Sequence, residues 1–426
     1  MVVIAIVQLF LVFREPIFSP VDELQHVDYV RTIAEEGHPP IFGVTQVDPR
    51  LLALYVHVQG RTLTPAETAR LPSSTRLSYE ALQFPAFYLL AAPLYRLLDQ
   101  HLVVAVYAIR SLNAGLAILL AFFTLRLLEL TLPSRRLAAL VALAVLLIPQ
   151  VSSRASQVNN QTLCALLVSL VLYRLAKPEA EALPVSRPAA SRRRAFTDGV
   201  LGGLATMTKI TAVALVAPAL LAWRWRVGGL RQHLVPGVVG AAIPAALWLA
   251  WSFPVYGGPF PWSGSHLVLF PSPPVRTLEA WLRLGSYLIN GLWLPYEWDP
   301  GHHWVRLTIA AEVAATLVFL CAFVAGVVSA LSGRVSVASR TIGMGVAAIA
   351  AFVVGYALFE FTRRRFIYGT DPRELWTFVA PMALLLGALV RRLGNWAGGI
   401  LCAAAVAGWL AIDLGLYLFG SCPRCP

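Results

Sequence analysis

Asp22, Glu23 and His26 put two carboxylates and an imidazole within five residues of one another, directly after Ser19-Pro20-Val21. Leu24, Val27, Val30, Ile33 and Ala34 follow at helical spacing, which predicts a short amphipathic helix lying on a bilayer surface. On one face of such a helix, the three side chains can supply a general base and, where needed, ligands for a metal ion. A plainer account stays open, because acids at a helix N-terminus favour the macrodipole without any further role. An acid this close to lipid is nevertheless costly unless it is used.

The candidate cations lie far away in the chain. Arg363, Arg364 and Arg365 form a triplet, with Arg373 close behind, and guanidinium groups are suited to phosphate capture. Snorkelling to lipid headgroups is the alternative. Lys209 is the one lysine inside an apolar run, where a charge marks a site by default unless an acid neutralises it. His266, Glu297, Asp299, His302 and His303 sit in a loop rich in Pro and Trp, but their spacing matches no established metal site. That loop reads better as a lid over a bound substrate.

The elements that must position these groups are membrane helices. Hydrophobic residues make up 58% of the 426 residues and charged residues 13%, against about 25% charged in a soluble domain. The chain has too little polar surface to face water on all sides. The net charge of +12 fits basic loops at a membrane surface, and no nucleic-acid-binding motif accompanies it. Cys164, Cys321 and Cys402 read as small apolar-run residues, and Cys422-x-x-Cys425 lacks a second half or a nearby histidine.

The reading is all-α: a single polytopic bundle over 1–426 with ten or eleven crossings. Met1 to Phe13 is taken as a first transmembrane helix, with a signal peptide as the alternative. Apolar helical candidates centre on 105–128, 137–150, 160–175, 197–222, 235–255, 306–330, 342–361, 376–390 and 397–418. Basic clusters at 135–136, 174–194, 224–231, 334–340 and 391–392 predict cytoplasmic ends. A large first loop, 14–104, and the loop 257–304 are then extracytoplasmic, and the basic loop 177–197 is cytoplasmic. Because both flanks of Phe196 to Trp223 are basic, this stretch must cross an even number of times. It is expected to fold as a hairpin of two half-length helices with Thr206, Thr208 and Lys209 near the bend.

Five motifs in order carry a family resemblance. Asp-Glu-x-x-His at 22–26 and Tyr79-Glu80-x-x-Gln83-x-Pro85-x-x-Tyr88 come first. Arg110-Ser111-Leu112-Asn113, Asn159-Asn160-Gln161 and Gly203-Leu204-Ala205-Thr206-Met207-Thr208-Lys209 follow. Together, over roughly 15–225, they resemble the GT-C class of membrane glycosyltransferases, nearest to a large bacterial group of membrane proteins with that fold. The resemblance implies transfer of a sugar from a polyprenyl-phosphate donor to a cell-envelope acceptor, at the outer face of the cell membrane. It places the catalytic acid on Asp22, with Glu23 and His26 orienting it or binding a divalent cation (Mg or Mn) together with Asp22. Substrate contacts would fall on Glu80, Gln83, Tyr88 and Asn160, and the cations named above on their own chemistry, Lys209, Arg363, Arg364, Arg365 and Arg373, would join them. Two departures stand out. Gln161 replaces a frequent Asp, and Asp371-Pro372-Arg373-Glu374-Leu375-Trp376 stands where many relatives carry Gly-Arg-Tyr. A transporter or flippase for a lipid-linked or anionic substrate, and a catalytically inactive scaffold, are the rival readings.

Overall fold

The computed structural model describes residues 1–18, 22–58, 60, 71, 73–180, 188–226, 229–261, 277, 279, 292–293, 301–332, 336–362 and 372–419. At 73–74, 178–180, 188–190, 301–308, 360–362, 372–373 and 413–419 only the backbone is described. The described residues form helices and no strand; one isolated bridge joins Gln46 and Leu77. In chain order the helices are α1 (Val2–Arg14), α2 (Glu23–Glu36), α3 (Pro49–Val58), α4 (Ala86–Leu98), α5 (Leu102–Leu128), α6 (Arg135–Leu146), α7 (Pro149–Ser156) and α8 (Gln161–Ala180). They continue as α9 (Pro188–Thr206), α10 (Val216–Trp225), α11 (Gly229–Tyr256), α12 (Gly301–Leu331), α13 (Val337–Thr362), α14 (Val379–Leu393) and α15 (Asn395–Phe419). Single 3-10 turns occupy Tyr79–Leu82, Ile210–Leu215 and Pro372–Phe378.

Six helical stretches among the described residues are long and apolar enough to cross a membrane: Leu102–Leu128, Gly229–Tyr256, Ile309–Leu331, Val337–Phe359, Glu374–Leu393 and Asn395–Ile412. The bent pair α6–α7 makes a seventh if counted as one span. The other crossings expected from the sequence fall on helices that are shorter, such as α1 and α10, or that carry charged ends, such as α8 and α9. Val235, Val238, Val239 and Leu247 of α11 and Leu317, Leu320 and Val324 of α12 expose apolar side chains, as lipid-facing surfaces do. The central α14, by contrast, is buried along most of its length.

Two interruptions shape the bundle. At Leu147–Ile148 the chain turns by 74° into α7, whose first residue is Pro149, a position where the missing N–H costs nothing. α7 is polar yet wholly buried. Gln8 of α1 donates to the Ser152 carbonyl at 3.1 Å, and Ser156 Oγ donates to Glu15 at 3.1 Å. Polar backbone and side chains at this depth persist only where protein or a cavity receives them.

The second interruption lies at 207–209, between α9 and the Ile210–Leu215 turn, where the hairpin bend was expected. Asp198 near the start of the hairpin accepts from Arg174 at 2.8 Å and pairs with Arg226, beyond α10, at 3.4 Å. The chain therefore leaves one end of the bundle and returns to it. The basic clusters around Arg174 and Arg226 share that end, and Lys209 lies at the other.

α2 differs from its expectation. It does not lie on a bilayer surface: Glu23 through Ala34 are all buried inside the protein. Its polar residues find protein partners, as where Asp28 accepts from Arg31 Nε and from the Asp48 backbone N–H, both at 3.0 Å. Enclosure then costs less than the sequence pattern alone suggests.

Candidate active site

The site is built on the first turn of α2. Asp22 is its N-cap and has φ +69°, a left-handed backbone that Asp and Asn tolerate better than other side chains. Strain of about 1–2 kcal/mol is held at such a position. The Asp22 carbonyl accepts the His26 N–H at 2.9 Å, opening the helix and setting His26 one turn above Asp22 on the same face.

A second strip of chain folds over this turn. Val47 N–H donates to Arg76 O at 2.8 Å and Ser78 N–H to Thr45 O at 2.9 Å, so 45–47 and 76–78 clasp each other. The clasp sets the Tyr79–Leu82 turn above α2. There the Tyr79 hydroxyl donates to Asp22 Oδ1, and Glu80 Oε2 lies 3.8 Å from His26 Nδ1. Tyr29 Oη donates to the Gln83 carbonyl at 3.1 Å and closes the strip.

Four of these residues line a hollow at the end of the bundle away from the Arg174–Asp198–Arg226 cluster. Asp22, His26, Glu80 and Gln83 form one wall. Arg154, the stretch Gln157–Gln161, Lys209 and Glu374 form the rest. Asn160 donates to the Thr208 carbonyl at 2.9 Å and to Gln83 Oε1 at 3.2 Å, tying the hairpin bend to the wall above α2. Arg154, from the buried polar helix α7, donates to Gln157 Oε1 at 2.7 Å.

Not every expected residue reaches this hollow. Glu23 turns away from it. Arg110 Nε donates to Glu23 Oε1 at 2.7 Å and Arg110 Nη2 to Oε2 at 2.6 Å in a fully buried pair, and the Val158 N–H donates to Oε1 at 2.9 Å. Arg110 also donates to the carbonyls of Val12, Glu15 and Pro16. One turn along α5, Asn113 donates to the carbonyls of Gln157 and Asn159. Arg110 and Asn113 are thus clamps on the 157–159 turn, and Glu23 belongs to the clamp. Tyr88 is also enclosed. Its ring stacks on Tyr29 with centroids 3.8 Å apart, and its hydroxyl meets His26 Nδ1 at 2.8 Å, so it orients His26 without lining the hollow.

Lys209 does reach the hollow, and an acid meets it: Glu374 Oε1 lies 3.0 Å from its Nζ. Glu374 and Arg154 were not foreseen as site residues. Arg154 could have been found as a guanidinium in a polar octet that follows Pro149 in an otherwise apolar region; Glu374 carries no such local signal. Arg363, Arg364 and Arg365 lie outside the described residues, as do the side chain of Arg373, the residues His266, Glu297, Asp299, Cys422 and Cys425, and the side chains of His302 and His303.

The described residues gather no group of three or more His, Cys, Asp or Glu side chains able to hold a metal ion. Glu23, one of the two expected ligands, is spent on Arg110. Among the described residues, Asp22 is thus left without the second carboxylate ligand expected beside it.

No protein-family profile and no curated protein matches the chain. Solved structures do. The chain superposes along its whole length on ArnT from Cupriavidus metallidurans bound to undecaprenyl phosphate, with TM-score 0.55 and 17% identity, covering 73% of that protein. The apo state of the same protein gives 0.56 and 18%, with 97% of this chain and 64% of that one covered. The chain has the GT-C fold. An oligosaccharyltransferase from Archaeoglobus fulgidus, in complex with Zn and sulfate, is similar at TM-score 0.52 and 14% identity; all of this chain covers 52% of it. The chain spans about two thirds to three quarters of ArnT and about half of the archaeal enzyme. With the six apolar spans, the GT-C fold makes this a multi-pass membrane protein.

Proposed function

We propose that this protein is a membrane glycosyltransferase that moves a sugar from a polyprenyl-phosphate-linked donor to a cell-envelope acceptor at the extracytoplasmic face. The observation that carries the reading is the hollow itself, in which Asp22 and His26 share one cavity with Arg154 and Lys209. Side follows from charge. The basic clusters favour the cytoplasm, so the opposite end, with the hollow, faces outward.

In the proposed reaction, an acceptor hydroxyl oxygen attacks the anomeric carbon of the sugar, and Asp22 takes the hydroxyl proton. The bond from that carbon to the phosphate oxygen breaks, and the oxygen leaves with the electron pair. Tyr79 orients the carboxylate of Asp22, and His26 and Glu80 complete the acidic wall. The leaving phosphate needs cations where its charge develops. Arg154 lines the hollow for that task, and Arg363, Arg364, Arg365 and Arg373 are further proposed contacts, whereas Lys209 is already paired with Glu374. Gln83 and Asn160, already joined to each other, offer polar atoms to the sugar.

The test uses the purified full chain in vesicles with labelled polyprenyl-phosphate sugars. The wild type is expected to form product, and Asp22→Asn to lower the rate about 10²- to 10⁴-fold, the scale of a lost general base. Full activity in Asp22→Asn removes the assignment. Lipid movement between leaflets without product, or lipid binding without turnover, would instead favour the transporter and scaffold readings.

A further inference from the structure

Lys209 and Glu374 come from two different breaks in the helical bundle. Lys209 ends the interruption after α9 with an extended backbone, φ −153° and ψ 127°. Glu374 stands in the first turn of the Pro372–Phe378 segment. Both supports are firm. The backbone at 207–208 is held by Ala86 N–H on Met207 O at 3.2 Å and by Asn160 on Thr208 O at 2.9 Å. Two residues beyond Glu374, the buried Trp376 donates its indole N–H to the Leu292 carbonyl at 2.8 Å.

The two oxygens of Glu374 are in different situations. Oε1 is held by Lys209 at 3.0 Å. Oε2 is buried and meets no hydrogen-bond donor among the described residues, while the residue lines the hollow. A buried carboxylate oxygen left unsatisfied is a standing penalty that any incoming donor relieves. A phosphate is the wrong partner, since it offers only negative oxygens to a negative oxygen. A neutral O–H is the right one, and Lys209, on Oε1, holds the carboxyl with Oε2 as the open acceptor.

We infer that Glu374 is a specificity-determining residue that accepts a hydrogen bond from a hydroxyl of the transferred sugar, with Lys209 as its positioning residue. This rests on the glycosyl-transfer reading for the identity of the ligand, and it moves Lys209 from phosphate capture to the support of Glu374. Phosphate recognition then falls to Arg154 and other cations of the site. A site built around such a bond discriminates strongly against an analogue that lacks the hydroxyl, because the acceptor is stranded again.

The experiment is a binding measurement on the full chain in nanodiscs, without turnover. The probes are decaprenyl phosphate and decaprenyl-phosphate-linked glucose, mannose and galactose, together with the singly deoxygenated forms of whichever sugar binds tightest. Glu374→Ala is expected to weaken that glycosylated probe about tenfold to hundredfold, the scale of one buried hydrogen bond left unmade. Binding of bare decaprenyl phosphate should be unchanged. One deoxy form should show the same loss in the wild type and no further loss in Glu374→Ala, the closure of a double-mutant cycle. Lys209→Met should blunt the same discrimination and spare the bare lipid. Glu374→Gln, which keeps the shape, replaces Glu374→Ala if the latter fails to fold.

Three results overturn the inference: equal weakening of bare and glycosylated lipid, tighter binding of bare lipid in Glu374→Ala, or no preference for any glycosylated probe in the wild type. Because no product is measured, failure here is separate from failure of the transfer reading, which is decided by Asp22→Asn.

Discussion

Asp22 owes its place to one backbone torsion. At φ +69° it turns the chain from the preceding loop into α2. Asn accepts that torsion nearly as well as Asp, so Asp22→Asn removes charge and little else, whereas Ala would add backbone strain. Glu23 illustrates how a neighbour can have an unrelated fate. The two acids were expected on one face with His26, but successive residues of a helix do not face each other, while residues four apart do. Asp22 and His26 therefore share the hollow, and Glu23 points into the clamp with Arg110. Removing one member of a buried ion pair strands the other. Arg110→Ala is expected to cost about 3–5 kcal/mol of stability, read as a lower denaturation midpoint in detergent, with Asp22→Asn as an unaffected reference. A native midpoint in Arg110→Ala would show that the clamp is dispensable.

Between elements, the tightest contact is the seam of α9 and α11. A Cβ at Gly199 would stand 2.0 Å from the Gly237 carbonyl oxygen, and one at Gly240 would stand 2.2 Å from that of Phe196. The two backbones touch there because no side chain intervenes, the usual means of close helix approach in membranes. Gly199→Leu should force the helices apart and lower stability by at least about 1–3 kcal/mol. Gly202→Ala, with open space around it, should be tolerated. Equal melting of the two variants would mean that the seam is loose. The seam matters for the site because α9 ends at the bend that delivers Lys209. That bend was legible from basic flanks and an apolar stretch, 196–223, that fits two half-length helices. The enclosure of α2 was not, because an amphipathic pattern records that one face is apolar without saying whether protein or lipid covers the other.

For the whole molecule, orientation is the prediction that separates the outward site from its inverse. Val44 is exposed beside the clasp above α2, and Arg192 is exposed near the basic cluster. In intact cells, Val44→Cys should react with a membrane-impermeant maleimide, and Arg192→Cys should react only after permeabilisation. The reverse pattern would put the hollow in the cytoplasm.

Composition and apolar run lengths alone were enough to make this a helical membrane protein, since lipid leaves an unpaired backbone no other partner than itself. Local order also sufficed to put Asp22 and His26 on one helix face and to place the break at Lys209, because helical spacing and flanking charge are short-range properties. Which acid meets Lys209, which arginine lines the hollow and where Glu23 spends its charge were decided by packing between segments far apart in the chain. Glu374 lies more than a hundred residues from Lys209, and no periodicity in either segment encodes their meeting. It exists only once two separate helix breaks come to face one cavity.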